Sequence, residues 1–404
     1  MYLTRLELTN FRNFTRLTVD VPAGALLLVG ENAQGKTSLL EAVYFLSAFT
    51  SFHASSDRQL INFLIVREAL AVSRIVAEYI RGSKSHRIEV RIIQERNGFN
   101  GSTRVRKEIL LDGVKRKANE AFGHLNTVLF LPQMLGIIEG NPAERRRYLN
   151  LTLAQVIPHY AATLSAYNRA VTQRNALLKQ LNERGGDPQL LDYWDEQVAK
   201  NGAFLIKSRI QAVQELEELT TLIHQDVTRK KEILRLAYQP AYDPLPKPTN
   251  QFELPFDAPV DRSGFSLEDI QIGFQAALQN RRTQEITRGQ TTIGPHRDEL
   301  RFFANGEDLG IYGSRGQVRT TMLSLKLAEV TWMKNKTNEW PVLLLDEVLA
   351  ELDLNRREDL LARLEECEQV LLTTTDLGLF TESFQQKTAT WWVHQGQVQT
   401  SIER

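Results

Sequence analysis

The chain has 404 residues, of which 42% are hydrophobic, and this length and composition predict about two or three globular domains with filled cores. Lysine plus arginine equals aspartate plus glutamate at 49 each, which excludes a general basic field, so any nucleic-acid contact must come from local patches. The single cysteine, Cys367, excludes an intrachain disulfide and fits a reducing compartment.

The N-terminal region has the pattern of strands and carries no signal peptide. Residues 6–8, 17–21 and 25–29 predict strands, and the last is a continuous apolar run of the kind that is buried on both faces. No run reaches the ~18 to 20 apolar residues that cross a bilayer. A soluble, cytoplasmic protein with no membrane partner is therefore expected.

A glycine-rich segment follows the third predicted strand. Residues 30–37 have the spacing G-x-x-x-x-G-K-[ST], and residues 38–46 have the apolar spacing of a helix. Backbone N–H groups of such a loop bind phosphates, while Lys36 would neutralise the β- and γ-phosphates and Thr37 would ligate Mg²⁺. An ordinary tight turn is the alternative, which the strand-loop-helix context disfavours. The predicted nucleotide contacts are Gly30, Glu31, Asn32, Ala33, Gln34, Gly35, Lys36, Thr37 and Ser38.

The middle of the chain changes from strand to helix. From residue 73 to about residue 130 the strand candidates are 87–93, 107–111 and 127–131. Beyond Pro142 the composition and apolar spacing predict helices at 144–157, 160–181 and 190–225. Gly185-Gly186 separates the last two, so no long coiled coil is expected.

Prolines interrupt the regular structure after these helices. Six of them occur within residues 239–264, which predicts an extended surface connection. Residues 266–282 then predict a helix, and residues 289–303 predict a return to sheet.

A second segment carries paired acids. Asp346 and Glu347 follow the apolar run 342–345, so they are expected at the carboxyl end of a buried strand, where open α/β sheets bind ligands. Two adjacent acids repel unless a cation or a reaction uses them. Asp346 is predicted to join the Mg²⁺ shell, and Glu347 to polarise the attacking water, with Lys36 as its catalytic partner.

Further motifs together resemble the RecF family of ABC-type ATPases, which are related to SMC heads. The segments 312–320 and 349–353 resemble the signature motif and D-loop of ABC ATPases. The remaining motifs are Asn10-Phe11-Arg12-Asn13-Phe14, Glu144-Arg145-Arg146-Arg147-Tyr148-Leu149, Gln173-Arg174-Asn175-Ala176-Leu177-Leu178, Gly294-Pro295-His296-Arg297-Asp298 and Leu325-Lys326-Leu327-Ala328-Glu329.

The resemblance implies an α/β fold, namely an ABC-type P-loop ATPase head with a mixed sheet, flanking helices and an inserted, mainly helical second lobe. The head is expected at residues 1–135 and 290–404. The insertion is expected at residues 136–289, including the proline-rich connection 239–264.

The resemblance also assigns residues outside the loop. It implies that Ser314, Gly316 and Gln317 face the γ-phosphate held by a second protomer. Gln133 would be the Q-loop residue near Mg²⁺, and Asp353 would lie at the dimer seam. Arg12 is a candidate for phosphate contact, and an exposed salt-bridge partner is the alternative.

Three positions depart from the family pattern. His53 stands where an arginine is expected, and Asp346-Glu347 replaces the Asp-Asp pair often found. No switch histidine follows the strand 369–372, where Thr375 is the nearest candidate.

The function implied by the resemblance is ATP-dependent DNA binding in recombinational repair and replication restart. An ATP-driven head-to-tail homodimer would clamp double-stranded DNA near single-strand gaps and assist RecO and RecR in loading a recombinase. Slow, DNA-stimulated ATP hydrolysis would then release it. The basic clusters 104–107, 115–117, 145–147 and 229–231 are candidate DNA contacts, with a solvated surface as the alternative. An ABC transporter ATPase subunit and a nucleotide-binding scaffold without turnover are the competing hypotheses.

Overall fold

The computed structural model describes residues 1–96, 103–245 and 260–400. The chain divides into two compact units, of which unit 1 comprises Met1–Met134 and Glu329–Arg404 and unit 2 comprises Leu135–Ala328. The chain therefore returns to unit 1 at Glu329, whereas the sequence predicted that it returns at residue 290. The reason is that residues 299–304 pair with a strand of the insertion.

Fifteen strands occur in the described residues, and several are longer than predicted. They span Tyr2–Phe11 (β1), Phe14–Asp20 (β2), Gly24–Val29 (β3), Leu70–Arg81 (β4), Lys84–Arg96 (β5), Thr103–Leu111 (β6), Val114–Arg116 (β7), Thr127–Phe130 (β8), Leu234–Gln239 (β9), Glu299–Ala304 (β10), Glu307–Asp308 (β11), Val342–Asp346 (β12), Gln369–Thr374 (β13), Ala389–His394 (β14) and Gln397–Thr400 (β15).

Twelve α-helices occur in the same part of the chain. They span Lys36–Ala48 (α1), Ala118–Ala121 (α2), Gly136–Glu139 (α3), Pro142–Val156 (α4), Tyr160–Arg184 (α5), Asp192–Val227 (α6), Leu267–Asn280 (α7), Arg282–Arg288 (α8), Leu309–Tyr312 (α9), Arg315–Thr337 (α10), Leu354–Leu364 (α11) and Glu382–Lys387 (α12). Among the described residues, no helix has both the length and the apolar character that a membrane span requires.

Unit 1 contains two six-stranded sheets. The first is antiparallel, with the order β2-β1-β4-β5-β6-β7. In its strand β1, Leu6 and Leu8 are buried while Glu7 between them is only partly so, which is the alternation of a sheet with one covered face.

The second sheet of unit 1 positions the loop and the acids. Its order is β15-β14-β3-β13-β12-β8, and all neighbouring pairs are parallel except β14 with β15. Strands β12 and β13 are buried along their whole length, as expected for central parallel strands covered on both faces. Because β3, β12 and β13 run in the same direction, the residues that follow them meet at one edge. The predicted α/β class with a mixed sheet is confirmed.

Unit 2 is mainly helical but also contains a small sheet. Helix α5 ends at Arg184, where Gly185 takes a left-handed φ of 68°, so the predicted break is present. Strands β11, β10 and β9 form an antiparallel sheet in which Glu299 is opposite Gln239. Strand β9 was not predicted, and its pairing with β10 keeps the following segment in the insertion.

The predicted proline-rich connection lies partly outside the described residues. Residues 246–259 are not described, and Gln239 is the last residue of β9. The described remainder, residues 240–245 and 260–264, contains neither helix nor strand. This agrees with the restraint that proline places on the backbone.

Candidate nucleotide site

The glycine-rich loop joins β3 to α1 at the carboxyl edge of the parallel sheet. Gly35 immediately precedes α1 as its N-cap and has a φ of 118°, a conformation that favours glycine. A Cβ atom at Gly30 would lie 2.3 Å from the carbonyl oxygen of Val393, and one at Gly35 would lie 2.6 Å from Nδ2 of Asn13. Close backbone packing therefore requires glycine at both positions.

Neighbouring segments hold the outer part of this loop through Gln34. The Gln34 carbonyl oxygen accepts hydrogen bonds from Nδ2 of Asn13 and the N–H of Gly396, each at 3.0 Å. Its side-chain Oε1 accepts the N–H of Gln395 at 2.7 Å. The β1–β2 and β14–β15 turns thus hold the loop in place.

Lys36 points back into the loop. Its side chain is 4% exposed, and Nζ donates to the carbonyl oxygens of Gly30 at 2.7 Å and Glu31 at 3.0 Å. The same ammonium lies 3.3 Å from Oε1 of Glu347. A buried cation at the start of a helix is placed to neutralise a polyphosphate.

Thr37 and Asp346 form the pair expected to bind Mg²⁺. Oγ1 of Thr37 donates to both carboxylate oxygens of Asp346, at 2.9 and 3.0 Å. No cluster of three or more acidic, histidine or cysteine side chains that could hold a metal occurs in the described ranges. A hydroxyl group and one carboxylate do fit Mg²⁺, because this ion is usually held by one or two carboxylates together with substrate phosphates and water.

Thr373 connects the two acids. Its Oγ1 donates to Oδ1 of Asp346 at 2.7 Å and accepts the N–H of Glu347 at 3.0 Å. Glu347 has a left-handed φ of 51°, which costs about 1–3 kcal/mol for a residue other than glycine. Its side chain is 41% exposed and faces the cavity, so the strained turn presents a carboxylate to the ligand space.

These groups line one cavity of about 570 Å³ within unit 1, a size typical of small-molecule sites. The predicted residues Glu31, Gln34, Gly30 and Asp353 do not contribute to its lining. The lining residues are Arg12, Asn13, Asn32, Ala33, Gly35, Lys36, Thr37, Ser38, His53, Gln59, Ile61, Phe63, Gln133, Asp346 and Glu347.

Arg12 lines the cavity as one half of an ion pair. Its Nε and Nη2 donate to the two carboxylate oxygens of Glu41, each at 2.7 Å, and its Nη1 donates to the Gln59 carbonyl oxygen at 3.1 Å. Glu41 is 1% exposed and also accepts the hydroxyl group of Ser51. Arg12 thus forms a partly buried salt bridge and still lines the cavity, so its contact with a phosphate stays a prediction.

The predicted signature residues belong to unit 2, at the start of α10. The N–H of Ser314 donates to Oε1 of Gln317 at 3.0 Å, and the N–H of Gln317 donates to Oγ of Ser314 at 3.3 Å. This reciprocal pair is a capping box, and Gly316 lies exposed between its members. Nε2 of Gln317 also donates to Oε1 of Glu232 at 3.1 Å.

Asp353 caps a different helix. Its Oδ1 accepts the N–H of Arg356 at 3.1 Å at the start of α11, and its side chain is 53% exposed. A capping role explains the residue locally, and its exposure leaves it open to a partner.

Comparison with known proteins decides the family. The profile of the RecF/RecN/SMC N-terminal domain matches residues 2–399. A DNA replication and repair protein RecF from Chloroflexus aurantiacus is 38% identical over 407 residues, covering 98% of this chain and 99% of that protein. The RecF from Chloroflexus aggregans is 39% identical over the same shares. The chain belongs to the RecF family.

Solved structures agree with the RecF fold. The recombination mediator protein RecF-ATPrS in the RecFOR pathway superposes with a TM-score of 0.80 at 30% identity, covering 99% of this chain and 98% of that chain. The RecF-ATP structure of the same pathway gives a TM-score of 0.79 at 30% identity, covering 99% and 97%. The predicted ABC-type head with a helical lobe is confirmed, and with it a role in DNA replication and repair.

Besides the pair Asp346-Glu347, the departures from the family pattern are at His53 and Thr375. His53 is exposed at the cavity wall, where its ring contacts Phe52 at 4.7 Å between centroids. Thr375, the candidate for the switch position, is exposed just after β13. Its neighbour Thr374 instead ties the turn, donating to the Asp376 carbonyl oxygen at 2.8 Å.

Sequence reasoning missed Thr373, Glu41 and Asn13. Thr373 begins a run of three threonines after an apolar strand, a signal that could have suggested polar groups at the sheet edge. Glu41 is the acid of an otherwise apolar helix segment, which could have suggested a buried ion pair.

Proposed function

We propose that this RecF-family chain is an ATPase that binds ATP with Mg²⁺ in the unit 1 cavity. The observation that carries the proposal is the meeting of Lys36, Thr37, Asp346 and Glu347 within hydrogen-bond or ion-pair distance, although about three hundred residues separate them in the sequence. The solved RecF-ATP structure supports the choice of nucleotide.

Each group then has a distinct role. Backbone N–H groups of residues 30–38 and the Lys36 ammonium bind the phosphates. Thr37 and Asp346 would hold Mg²⁺, and Gln133, which lines the same cavity, would contact the ion or the water. Glu347 would orient and polarise the attacking water.

The signature residues complete the site from a second protomer. The N–H groups of Ser314 and Gln317 at the start of α10 can donate hydrogen bonds to a γ-phosphate once the two hydrogen bonds between these residues break. A head-to-tail homodimer would bring two such helices to two phosphate loops. Asp353, exposed at the start of α11, would lie at the same seam.

DNA binding is proposed from a reduced set of basic residues. Several predicted clusters are engaged internally: Arg145 is buried and pairs with Glu299 at 2.6 Å, and Lys107 pairs with Asp57 at 3.0 Å. Two exposed members, Arg106 and Lys115, also pair with Glu108. The exposed members of the clusters are Arg104, Arg106, Lys115, Arg116, Lys117, Arg147, Arg229, Lys230 and Lys231.

A second cavity, of about 320 Å³ within unit 2, adds to this set. Arg146, Arg147 and Arg209 line it together with Asn150 and Asn168, and no carboxylate contributes to its described lining. Burial lowers the pKa of Arg146; the charges of Arg209 and Arg297 lower it further, whereas those of Glu299 and Asp298 raise it. An anion such as a DNA phosphate would pair with the partly exposed Arg146 and the exposed Arg147.

The cellular role proposed is that of an ATP-controlled clamp. Dimerisation on ATP would place two modest basic surfaces on one DNA duplex near a single-strand gap, so their phosphate contacts would add. RecO and RecR would then load the recombinase, and hydrolysis would release the clamp. Membership of the RecF family speaks against the transporter subunit.

Sedimentation tests the proposal directly. Wild-type protein should sediment as a dimer with ATP, but as a smaller species with ADP or without nucleotide, and gapped DNA should co-sediment with the dimer. Lys36→Ala should lose nucleotide binding, whereas Glu347→Gln should keep binding and accumulate dimer. Phosphate release no faster than that of these two variants would favour the non-hydrolysing scaffold instead.

A further inference from the structure

Phe63 is an exposed aromatic side chain at the wall of the nucleotide cavity. Its relative exposure is 71%, equal to that of Leu354 and below only the 72% of Tyr312 among the large hydrophobic residues of the described chain. The ring therefore gains little from packing within its own chain. A large apolar side chain that is exposed at a ligand cavity gains free energy when a bound partner covers it.

The backbone around Phe63 is held rigidly. Ile61 forms a β-bridge with Phe11, and the N–H of Arg12 donates to the Leu60 carbonyl oxygen at 2.8 Å. Asn62 is 1% exposed, its N–H donates to the Asn10 carbonyl oxygen at 2.9 Å, and its Oδ1 accepts the N–H of Leu64 at 2.9 Å. The ring is thus presented by a fixed turn, which lowers the entropic cost of binding.

The cavity lining has two chemically distinct parts. The phosphate loop, Asp346 and Glu347 supply backbone donors and charges, which suit a triphosphate and its metal. His53, Gln59, Ile61 and Phe63 supply rings, an amide and an apolar wall. A purine base needs a flat apolar surface and a few polar groups at its edge, and this second part offers both.

We propose that Phe63 is the platform on which the adenine ring of ATP stacks. The proposal rests on the nucleotide binding proposed above and adds the contact that distinguishes a nucleotide from a bare polyphosphate. Stacking between a base and an aromatic side chain tolerates any base, because every base has a π-face. Phe63 therefore raises affinity for purine nucleotides, while the choice of adenine falls to groups at the edge of the ring.

The experiment compares two ligands, ATP and inorganic tripolyphosphate, by isothermal titration calorimetry in the presence of Mg²⁺. Phe63→Ala should weaken ATP binding about tenfold and leave tripolyphosphate binding unchanged, since only ATP carries a base. Phe63→Trp should keep the ATP affinity, and ATP but not tripolyphosphate should quench the fluorescence that this variant gains over the wild type.

The neighbouring residue provides a matched control. Leu64 is 63% exposed but does not line the cavity, so Leu64→Ala should bind both ligands like the wild type. Unchanged ATP affinity in Phe63→Ala would overturn the inference. The inference would also be overturned if both alanine variants bound ATP normally but dimerised more weakly. That result would assign Phe63 and Leu64 to a protein interface. If the wild type bound neither ligand, the proposed function itself would fail.

Discussion

Thr373 holds both acids of the nucleotide site through one hydroxyl group. Thr373→Val removes the donor to Asp346 and the acceptor for the Glu347 N–H while keeping the shape of the side chain. Groups that orient a metal ligand typically contribute 10–100-fold to activity, so hydrolysis should fall by at least about tenfold. Steady-state phosphate release measures the effect. ATP affinity should change less, because Lys36 and the loop are untouched.

Thr373→Ser is the control for this prediction. Serine retains the hydroxyl group and should restore most of the hydrolysis rate. If valine and serine reduced the rate equally, the methyl packing of Thr373 and not its hydrogen bonds would be responsible. Normal hydrolysis in the valine variant would remove Thr373 from the site.

The buried side chain of His296 should make the stability of unit 2 depend on pH. Its Nδ1 lies 2.7 Å from the Tyr167 hydroxyl group and its Nε2 lies 3.2 Å from the Thr291 carbonyl oxygen, an environment that suits a neutral ring. Burial lowers the pKa of His296 from 6.5 to about 4. Between these values the unfolded state binds more protons, so the free energy of unfolding should fall by up to about 3 kcal/mol as the pH decreases from 6.5 to 4.

Urea unfolding of the wild type and of His296→Gln at several pH values between 4 and 7 measures this contribution. The variant has no titrating ring, so its stability should decline less steeply with falling pH than that of the wild type. Parallel pH profiles for the two proteins would show that His296 does not titrate differently in the folded and unfolded states.

Part of the residue-scale chemistry was predictable because it is local in sequence. The loop residues and the acids follow apolar runs, and their spacing alone predicted that they share one site. Thr373 was not predictable, because it meets Asp346 only through the register of β12 and β13, in which the two residues are opposite each other. Arg12 likewise needed the fold, since its partner Glu41 lies on α1.

At the scale of elements, one buried cation joins three helices of unit 2. Arg174 on α5 is 0% exposed and donates to Asp195 on α6 at 2.6 Å and to Glu285 on α8 at 2.6 Å. Arg174→Leu would leave two buried carboxylates short of their partner, which should cost about 3–5 kcal/mol of unfolding free energy. Chemical denaturation measures the loss.

A matched variant is available on the same helix. Arg169 is exposed on α5, so Arg169→Leu should change stability by less than about 0.5 kcal/mol. A similar loss in both variants would indicate that leucine disturbs the helix itself. A loss of unfolding free energy in Arg174→Leu but not in Arg169→Leu would support the role of the buried ion pairs in holding the three helices together.

Helical periodicity and glycine breaks were sufficient to predict α4, α5 and α6, but not the sheet that accompanies them. Strand β9 has six residues between a long helix and a proline-rich stretch, and its pairing with β10 spans some sixty residues of sequence. Such a long-range pairing leaves no local signal. The same pairing explains why the chain does not return to unit 1 at residue 290: β10 pairs with β9 and so belongs to unit 2.

At the scale of the whole molecule, the two halves of the proposed nucleotide site lie in separate units of each chain. Lys36 and the acids belong to unit 1, and Ser314 and Gln317 belong to unit 2. If the halves work in cis, one damaged half inactivates its own chain and mixing changes nothing. If they work in trans, two differently damaged chains can assemble one intact site. A mixture of variants separates these arrangements.

Lys36→Ala and Ser314→Arg should each lack ATPase activity alone, the first through lost phosphate binding and the second through a bulky cation at the start of α10. With random pairing in an equal mixture, half of the dimers are mixed pairs, each with one intact site of two. Activity should then recover to about one quarter of the wild-type rate. Phosphate release from the mixture measures the recovery.

The recovery should depend on total protein concentration, because it requires two chains to meet. Mixing Lys36→Ala with Glu347→Gln is the matched control, since both substitutions damage the same half. In a head-to-tail pair of these variants neither site is intact, so no activity should return. Recovery in the first mixture alone would establish that the phosphate loop of one protomer works with the signature helix of its partner; no recovery in either would contradict the shared site.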